Sequence, residues 1–214
     1  MERHDSAQRL AHITLAGTAG PIEAVLQESD PGDHAITAVV CHPHPVYGGT
    51  LHNKVVHRAA STLYGMGAAV LRFNFRGVGK SAGKYDLGNG ELEDVRVAWE
   101  YMRQRWPNAR RWLAGFSFGS WIAARLGAET ADVEQLLLIA PPVHSSSFES
   151  MHHSAVRKRV VQGMADDICT VERLNGEFPL WAEPKRLVTV DGAGHFFDRT
   201  LEELGVAVRE VMEL

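Results

Sequence analysis

The run Gly115-Phe-Ser117-Phe-Gly119 restricts this chain more than any other stretch, because an apolar strand ends where it begins and a helix starts where it stops. Trp112, Leu113 and Ala114 read as the end of a buried strand, and Trp121, Ile122 and Leu126 recur as they do on a helix pressed against a sheet. A reversal that sharp strains the central residue, and a glycine two positions to either side removes a Cβ atom that would collide. Ser117 is thereby lifted out at the C-terminal edge of the sheet, at the positive end of the following helix. The Phe118 amide can point at an oxyanion that develops beside it.

The rest of the chain supplies a sheet for that turn. His12-Ile-Thr-Leu-Ala and Ile22-Glu-Ala-Val-Leu, around Gly17-Thr-Ala-Gly20, predict an N-terminal antiparallel hairpin, and Pro31-Gly32 then breaks the chain. Ile36-Thr-Ala-Val-Val-Cys41 is a short apolar run of the kind buried on both faces of a parallel sheet. A helix is expected from Asn53 to Tyr64, a strand from Ala68 to Phe75, and a second helix from Glu91 to Arg105 with Leu92, Val95 and Trp99 on one stripe. After the central turn come strands Gln135–Ala140, Arg159–Gln162 and Arg186–Val190, then a C-terminal helix from Asp198 to Met212. This alternation predicts an α/β fold, a doubly wound and mostly parallel sheet of about eight strands. No repeat or linker divides it, so residues 1–214 are expected to form one domain.

A serine hydroxyl is a poor nucleophile at neutral pH and needs a base within hydrogen-bond reach, which in turn needs a carboxylate to orient it. Two later strand ends offer these groups: Gly163-Met-Ala-Asp166-Asp167 and Asp191-Gly-Ala-Gly194-His195. The glycines around His195 let its loop fold over the sheet edge, and the order Ser117, Asp, His195 is that of nucleophile, acid and base. From the residues alone, Asp166 and Asp167 both stay open as the acid.

His42-Pro-His-Pro…Gly-Gly49, Arg72-Phe-Asn-Phe-Arg-Gly-Val-Gly79, the Gly-x-Ser-x-Gly turn, Gly163-x-x-Asp166 and Gly192-x-Gly-His-Phe196 occur in that order. In this the chain resembles the α/β-hydrolase superfamily, and more narrowly its small bacterial esterase-like members without a lid. The resemblance runs through nearly the whole chain. It implies Ser117 as nucleophile, His195 as general base then acid, and Asp166, three residues after the glycine, as the orienting carboxylate. It also implies an oxyanion hole from the backbone amides of Phe118 and His44. Of Pro43, His44 and Pro45 only His44 has an amide hydrogen to donate. The stretch between Ala140 and Arg159 is too short for a cap domain, so an open site is expected, lined by Tyr47, Phe118, Met151 and Phe196. The implied activity is cleavage of a small or accessible carboxylic ester or thioester through an acyl-enzyme. A peptidase or acyltransferase with the same triad, or a binding module that keeps the fold without catalysis, are the alternatives.

Other features exclude rival functions. A net charge of -4 and no basic run longer than Arg157-Lys-Arg159, expected at the edge of a strand, speak against nucleic acid as a partner. The N-terminus, Met1 to Gln8, is polar without an apolar leader, and no segment is apolar enough to span a bilayer, so a cytoplasmic protein with a small-molecule substrate and no membrane partner is expected. Cys41 and Cys169 read as buried free thiols. His42, His44, His52 and His57 crowd one region, but no Asp, Glu or Cys set completes a metal sphere there, and no metal is expected. Arg76-Gly-Val-Gly-Lys-Ser81 mimics nucleotide-binding loops, yet Asn74 stands where a P-loop needs its first glycine and Ala82 where the third dinucleotide glycine belongs. No cofactor is expected. Arg76 and Lys80 read as solvated or locally paired, and His144, His152 and His153 as solvent-facing.

Overall fold

The computed structural model describes residues 9–29, 32 and 34–213. Strands β1 (Arg9–Gly17) and β2 (Gly20–Glu28) form the antiparallel hairpin. The next strands are β3 (Ile36–Cys41), β4 (Ala68–Phe73), β5 (Arg110–Phe116), β6 (Gln135–Ile139), β7 (Arg157–Gly163) and β8 (Lys185–Val190). They lie in one eight-stranded sheet in the order β1-β2-β4-β3-β5-β6-β7-β8. β2 joins β4 antiparallel, and every later neighbour pair is parallel. This is the doubly wound, mostly parallel architecture expected.

Burial on both faces explains the apolar strands. Along β6, Leu136 and Leu138 enter one core while Leu137 and Ile139 enter the other, as a period of two requires. The first core lies beneath α2 (Asn89–Arg105) and α3 (Phe118–Glu129), the second beneath α1 (Lys54–Gly65) and α5 (Leu201–Met212). Each fully buried leucine or isoleucine contributes about 1.5–3 kcal/mol from its removal from water. Helix α1 buries Val55, Val56, Ala59, Ala60 and Leu63, one stripe of a 3.6-residue period. The Asn53 side chain starts it, accepting from the amides of Val55 at 2.9 Å and Val56 at 3.4 Å.

Several boundaries moved for local reasons. β4 stops at Phe73, because the Phe75 amide leaves the ladder and donates to the His42 ring at 3.0 Å. The last helix begins at Leu201 because Phe197 and Arg199 hold left-handed backbone (φ 52° and 64°), which a right-handed helix excludes. A short α4 (Val171–Glu177) follows β7, and seven residues are too few to show a helical period in the sequence. The basic run Arg157–Arg159 opens β7, and its middle residue is fully buried. Lys158 Nζ donates to the carbonyls of Ser154, Val156 and Ala182 at 2.5, 3.1 and 2.8 Å, and burial holds its pKa below the ordinary lysine value. Between β6 and β7 the only helical segment is a 3-10 turn, Glu149–His152. No described helix is long and apolar enough to cross a membrane. The polar segment Met1–Gln8 and Pro31 of the expected break lie outside the described residues.

Candidate active site

Both glycines of the central turn are required by contact. A Cβ on Gly115 would lie 2.5 Å from the Ser120 amide nitrogen and would overlap the Gly119 carbonyl, so only glycine lets α3 fold back onto β5. A Cβ on Gly119 would lie 2.5 Å from the Cys41 carbonyl oxygen, so only glycine lets α3 press on the end of β3. Between them Ser117 sits at φ 52°, ψ -121°, a strained conformation for a residue with a Cβ. Its amide donates to the Ile139 carbonyl at 2.9 Å, and its carbonyl accepts from Ser120 Oγ at 2.6 Å. The backbone is thus held while the hydroxyl projects at the start of α3, whose first amides have no acceptor within the helix.

Loops after β7 and β8 are stitched to each other beside that hydroxyl. The Met164 amide donates to the Val190 carbonyl at 3.0 Å and the Ala165 amide to Ala193 at 2.9 Å, while Gly163 leaves room for the Ala193 carbonyl. His195 is thereby placed with Nε2 at 3.1 Å from Ser117 Oγ and Nδ1 at 2.9 Å from Asp166 Oδ2. Asp166 is fixed in turn: Oδ1 accepts from the amides of Ile168 and Cys169 at 2.9 and 2.8 Å, and Gln162 Nε2 donates to Oδ2 at 3.2 Å. Asp167 is exposed, so of the two adjacent carboxylates it is Asp166 that meets the ring. An ionised carboxylate only accepts, so Nδ1 carries the imidazole proton and Nε2 is left to accept from the serine hydroxyl. Arranged this way, the groups can move a proton from Ser117 to His195 as Ser117 attacks an electrophilic carbon.

The loop after β3 closes the other side. His42 is fully buried and pins it: Nδ1 donates to the Pro43 carbonyl at 2.6 Å, and Nε2 accepts from the Phe75 amide at 3.0 Å. Burial pushes the His42 pKa down to about 4, which keeps it neutral at neutral pH. Gly49 is wedged against the Pro43 carbonyl, where no Cβ would fit. His44 Nδ1 accepts from the Val46 amide at 3.2 Å and caps a 3-10 turn, Pro45–Tyr47. The His44 ring lies 4.8 Å from that of Phe118, so this loop rests on the first turn of α3.

Of the expected lining residues, Tyr47 is 84% exposed with its ring 4.6 Å from His44, and Phe196 is 43% exposed with its ring 5.0 Å from His195. Phe118 is buried in the core beneath them. Met151 is a correction: its side chain is fully buried in the core that holds Phe148 and Trp181, so it presents no surface to a substrate. Tyr85, whose ring lies 4.9 Å from His44, borders the site instead, from a loop without periodicity to mark it. A second correction is His152, which is half-buried and pairs with Glu177 at 2.8 Å, whereas His144 and His153 are exposed as expected.

The nucleotide-like loop is tied to its own protein. Arg76 makes a two-pronged ion pair with Asp94, Nη2 to Oδ1 at 2.8 Å and Nε to Oδ2 at 3.1 Å, which raises the Arg76 pKa. The Lys80 amide donates to the Glu23 carboxylate at 2.9 Å, and Ser81 Oγ to the Asn74 carbonyl at 2.7 Å. A residue that sequence reasoning set aside is Cys169. Its thiol lies within 4.8 Å of the donor atoms of Asp166 and His195, and burial, then the Asp166 charge, push its pKa up to about 12.

Comparison with known proteins agrees with this architecture. Residues 36–173 match the family described as serine aminopeptidase, S33. An uncharacterized protein of Rickettsia prowazekii is 34% identical over 212 residues, 95% of this chain and 89% of that one. An α/β serine hydrolase homologue from Coxiella burnetii superimposes with a TM-score of 0.88 at 37% identity, covering 94% of this chain and 97% of that chain. A serine hydrolase without a lid from Xanthomonas campestris gives 0.86 at 36% identity, covering 96% and 97%.

Proposed function

From a chain that belongs to the α/β-hydrolase superfamily of serine hydrolases, we propose an enzyme that cleaves a small or accessible carboxylic ester or thioester through Ser117, His195 and Asp166. The observation that carries this reading is one imidazole bonded at both ends, 3.1 Å from Ser117 Oγ and 2.9 Å from Asp166 Oδ2. In the first half-reaction His195 Nε2 takes the Ser117 proton as Oγ adds to the acyl carbon. Asp166, buried and hydrogen-bonded, stabilises the imidazolium without taking its proton. The Phe118 and His44 amides receive the oxyanion, and collapse of the tetrahedral intermediate passes the proton from His195 to the leaving alcohol or thiol. Water then repeats the sequence on the acyl-enzyme, with His195 as base.

The family description names an aminopeptidase, which makes an amide the second substrate class to test. An amide needs its leaving nitrogen protonated before the C–N bond breaks, so it depends on His195 as acid more heavily than a thioester does. Fluorophosphonate labelling followed by peptide mapping tests the nucleophile, and a panel of ester, thioester and anilide substrates ranks the classes. Modification at Ser117 with turnover of esters or thioesters is expected. An unlabelled Ser117 overturns the proposal.

A further inference from the structure

Asp166, Cys169 and His195 bring a carboxylate, a thiol and an imidazole together, with one donor atom of each lying within 4.8 Å of the others. All three residues are buried. Oxygen, sulfur and nitrogen in one cluster match the donors that zinc takes, and three protein ligands with an open fourth position is a common zinc arrangement. A tetrahedral zinc ion holds such donors roughly 3.3–3.6 Å apart, given bonds of about 2.0–2.3 Å. His195 Nδ1 and Asp166 Oδ2 are 2.9 Å apart and every separation is within 4.8 Å, so that spacing falls inside the observed range and small side-chain rotations reach it.

Charge also favours a cation here. The Asp166 carboxylate is buried, and its partners are the amides of Ile168 and Cys169, the Gln162 carboxamide and the His195 ring, none of them a permanent cation. A zinc ion with one carboxylate and one thiolate is neutral overall, so occupation removes a buried net charge. Gln162 Oε1 is buried without a partner while its Nε2 donates to Asp166 Oδ2.

We propose that Asp166, Cys169 and His195 form an inhibitory site for a soft divalent cation such as zinc, which switches the proposed hydrolase off reversibly. Binding forms one S–Zn bond and releases the thiol proton to solvent, with no change of oxidation state: Cys169-SH + Zn²⁺ gives Cys169-S-Zn⁺ + H⁺. The imidazole enters neutral. With the metal on Nδ1, its proton moves to Nε2, the nitrogen 3.1 Å from Ser117 Oγ. A ring protonated on Nε2 donates to the serine instead of accepting from it, so the base is disabled.

The test uses the intact protein, beginning with Co²⁺ as a spectroscopic stand-in for zinc. A thiolate-to-cobalt charge-transfer band is expected in the wild type and is expected to vanish in Cys169→Val. That readout does not depend on hydrolysis. Zinc should also block fluorophosphonate labelling of Ser117 and should be reversed by a chelator. In Cys169→Val, and more weakly in Cys169→Ser, the zinc concentration for half-block should rise on the order of tenfold or more, since one ligand is lost. Absence of the band in a folded wild type overturns the site, and so does equal zinc sensitivity of the wild type and Cys169→Val. A cobalt band in a protein whose Ser117 never labels supports the metal site and removes only the hydrolase reading.

Discussion

The carbonyl oxygen of Cys41 lies where a Cβ on Gly119 would come within 2.5 Å of it. That contact lets the end of β3 and the start of α3 share one surface, and the proposed oxyanion donors come from the loop that leaves this strand and from the first residue of this helix. Gly119→Ala should push the helix off the strand end by a few tenths of an ångström or more. Overpacking of this kind destabilises by about 1–3 kcal/mol. The loss of alignment should lower kcat by roughly 10²-fold, because a displacement near the chemistry is felt steeply. Urea midpoints and steady-state kinetics on one ester measure both.

Strain at Ser117 makes a different pair of variants informative. Its φ of 52° is easy for glycine and strained for any residue with a Cβ. Ser117→Ala and Ser117→Gly both remove the hydroxyl, and each should lower turnover on the order of 10⁴-fold or more. Only the glycine relieves the backbone, so Ser117→Gly should be more stable than Ser117→Ala by about 1 kcal/mol. Equal melting temperatures would show that the elbow stores no such strain.

The adjacent carboxylates separate positioning from mere charge. Asp166→Asn keeps the shape but loses the acceptor that fixes the His195 tautomer, and should lower kcat by roughly 10³–10⁴-fold. Asp167 is exposed, and Asp167→Asn should stay within about twofold, as surface changes away from a site do. The reverse order of defects would remove Asp166 from its proposed role.

Much of this arrangement was legible because the physics is local. Strands buried on both faces must be mostly apolar, as the runs 38–41 and 136–139 are, and a reversal as tight as Gly115–Gly119 announces itself by its glycines. What escaped depends on distant partners. Met151 looked like a lining residue because it is apolar and lies in a loop, and only the packing of Phe148 and Trp181 shows that the loop tucks it inward. Lys158 and His152 carry charge or polarity, yet carbonyls of the Ser154–Val156 turn and the Glu177 carboxylate receive them. Cys169 is the buried free thiol expected, but nothing in its spacing shows that Asp166 folds back over its amide.

His42 ties stability to pH. Its folded pKa is lowered to about 4, while the unfolded chain takes up the proton near the ordinary value of about 6.5. Between those values the unfolded state binds more protons, so stability is full above about pH 6.5 and falls as pH drops toward 4, by up to about 3 kcal/mol. His42→Gln, which keeps an acceptor for the Phe75 amide, should flatten that acid limb. Urea midpoints at pH 7, 5.5 and 4.5 measure the slope, and an unchanged slope would assign the acid sensitivity elsewhere.

The loop that carries the proposed second oxyanion donor fixes the expected order of effects. His44 lies between Pro43 and Pro45, whose rings hold φ and leave His44 the only amide of the three able to donate. Pro43 is locked from outside by Gly49 and the His42 ring, and the His44 imidazole is occupied in capping the Pro45–Tyr47 turn. The proposed donor is the His44 backbone amide, while the side chain steadies the turn that follows it. His44→Ala should keep most of kcat and lose about 0.5–2 kcal/mol of stability with the cap. Pro43→Gly and Pro45→Gly loosen the donor itself and should lower kcat by about tenfold with a smaller change in KM, since the interaction forms only in the transition state. A tetrahedral phosphonate adduct on Ser117 decides it by distance. An adduct oxygen within about 3.2 Å of the His44 and Phe118 nitrogens is expected, and one beyond hydrogen-bond range of His44 would transfer the role to another donor, with Tyr47 the next to test.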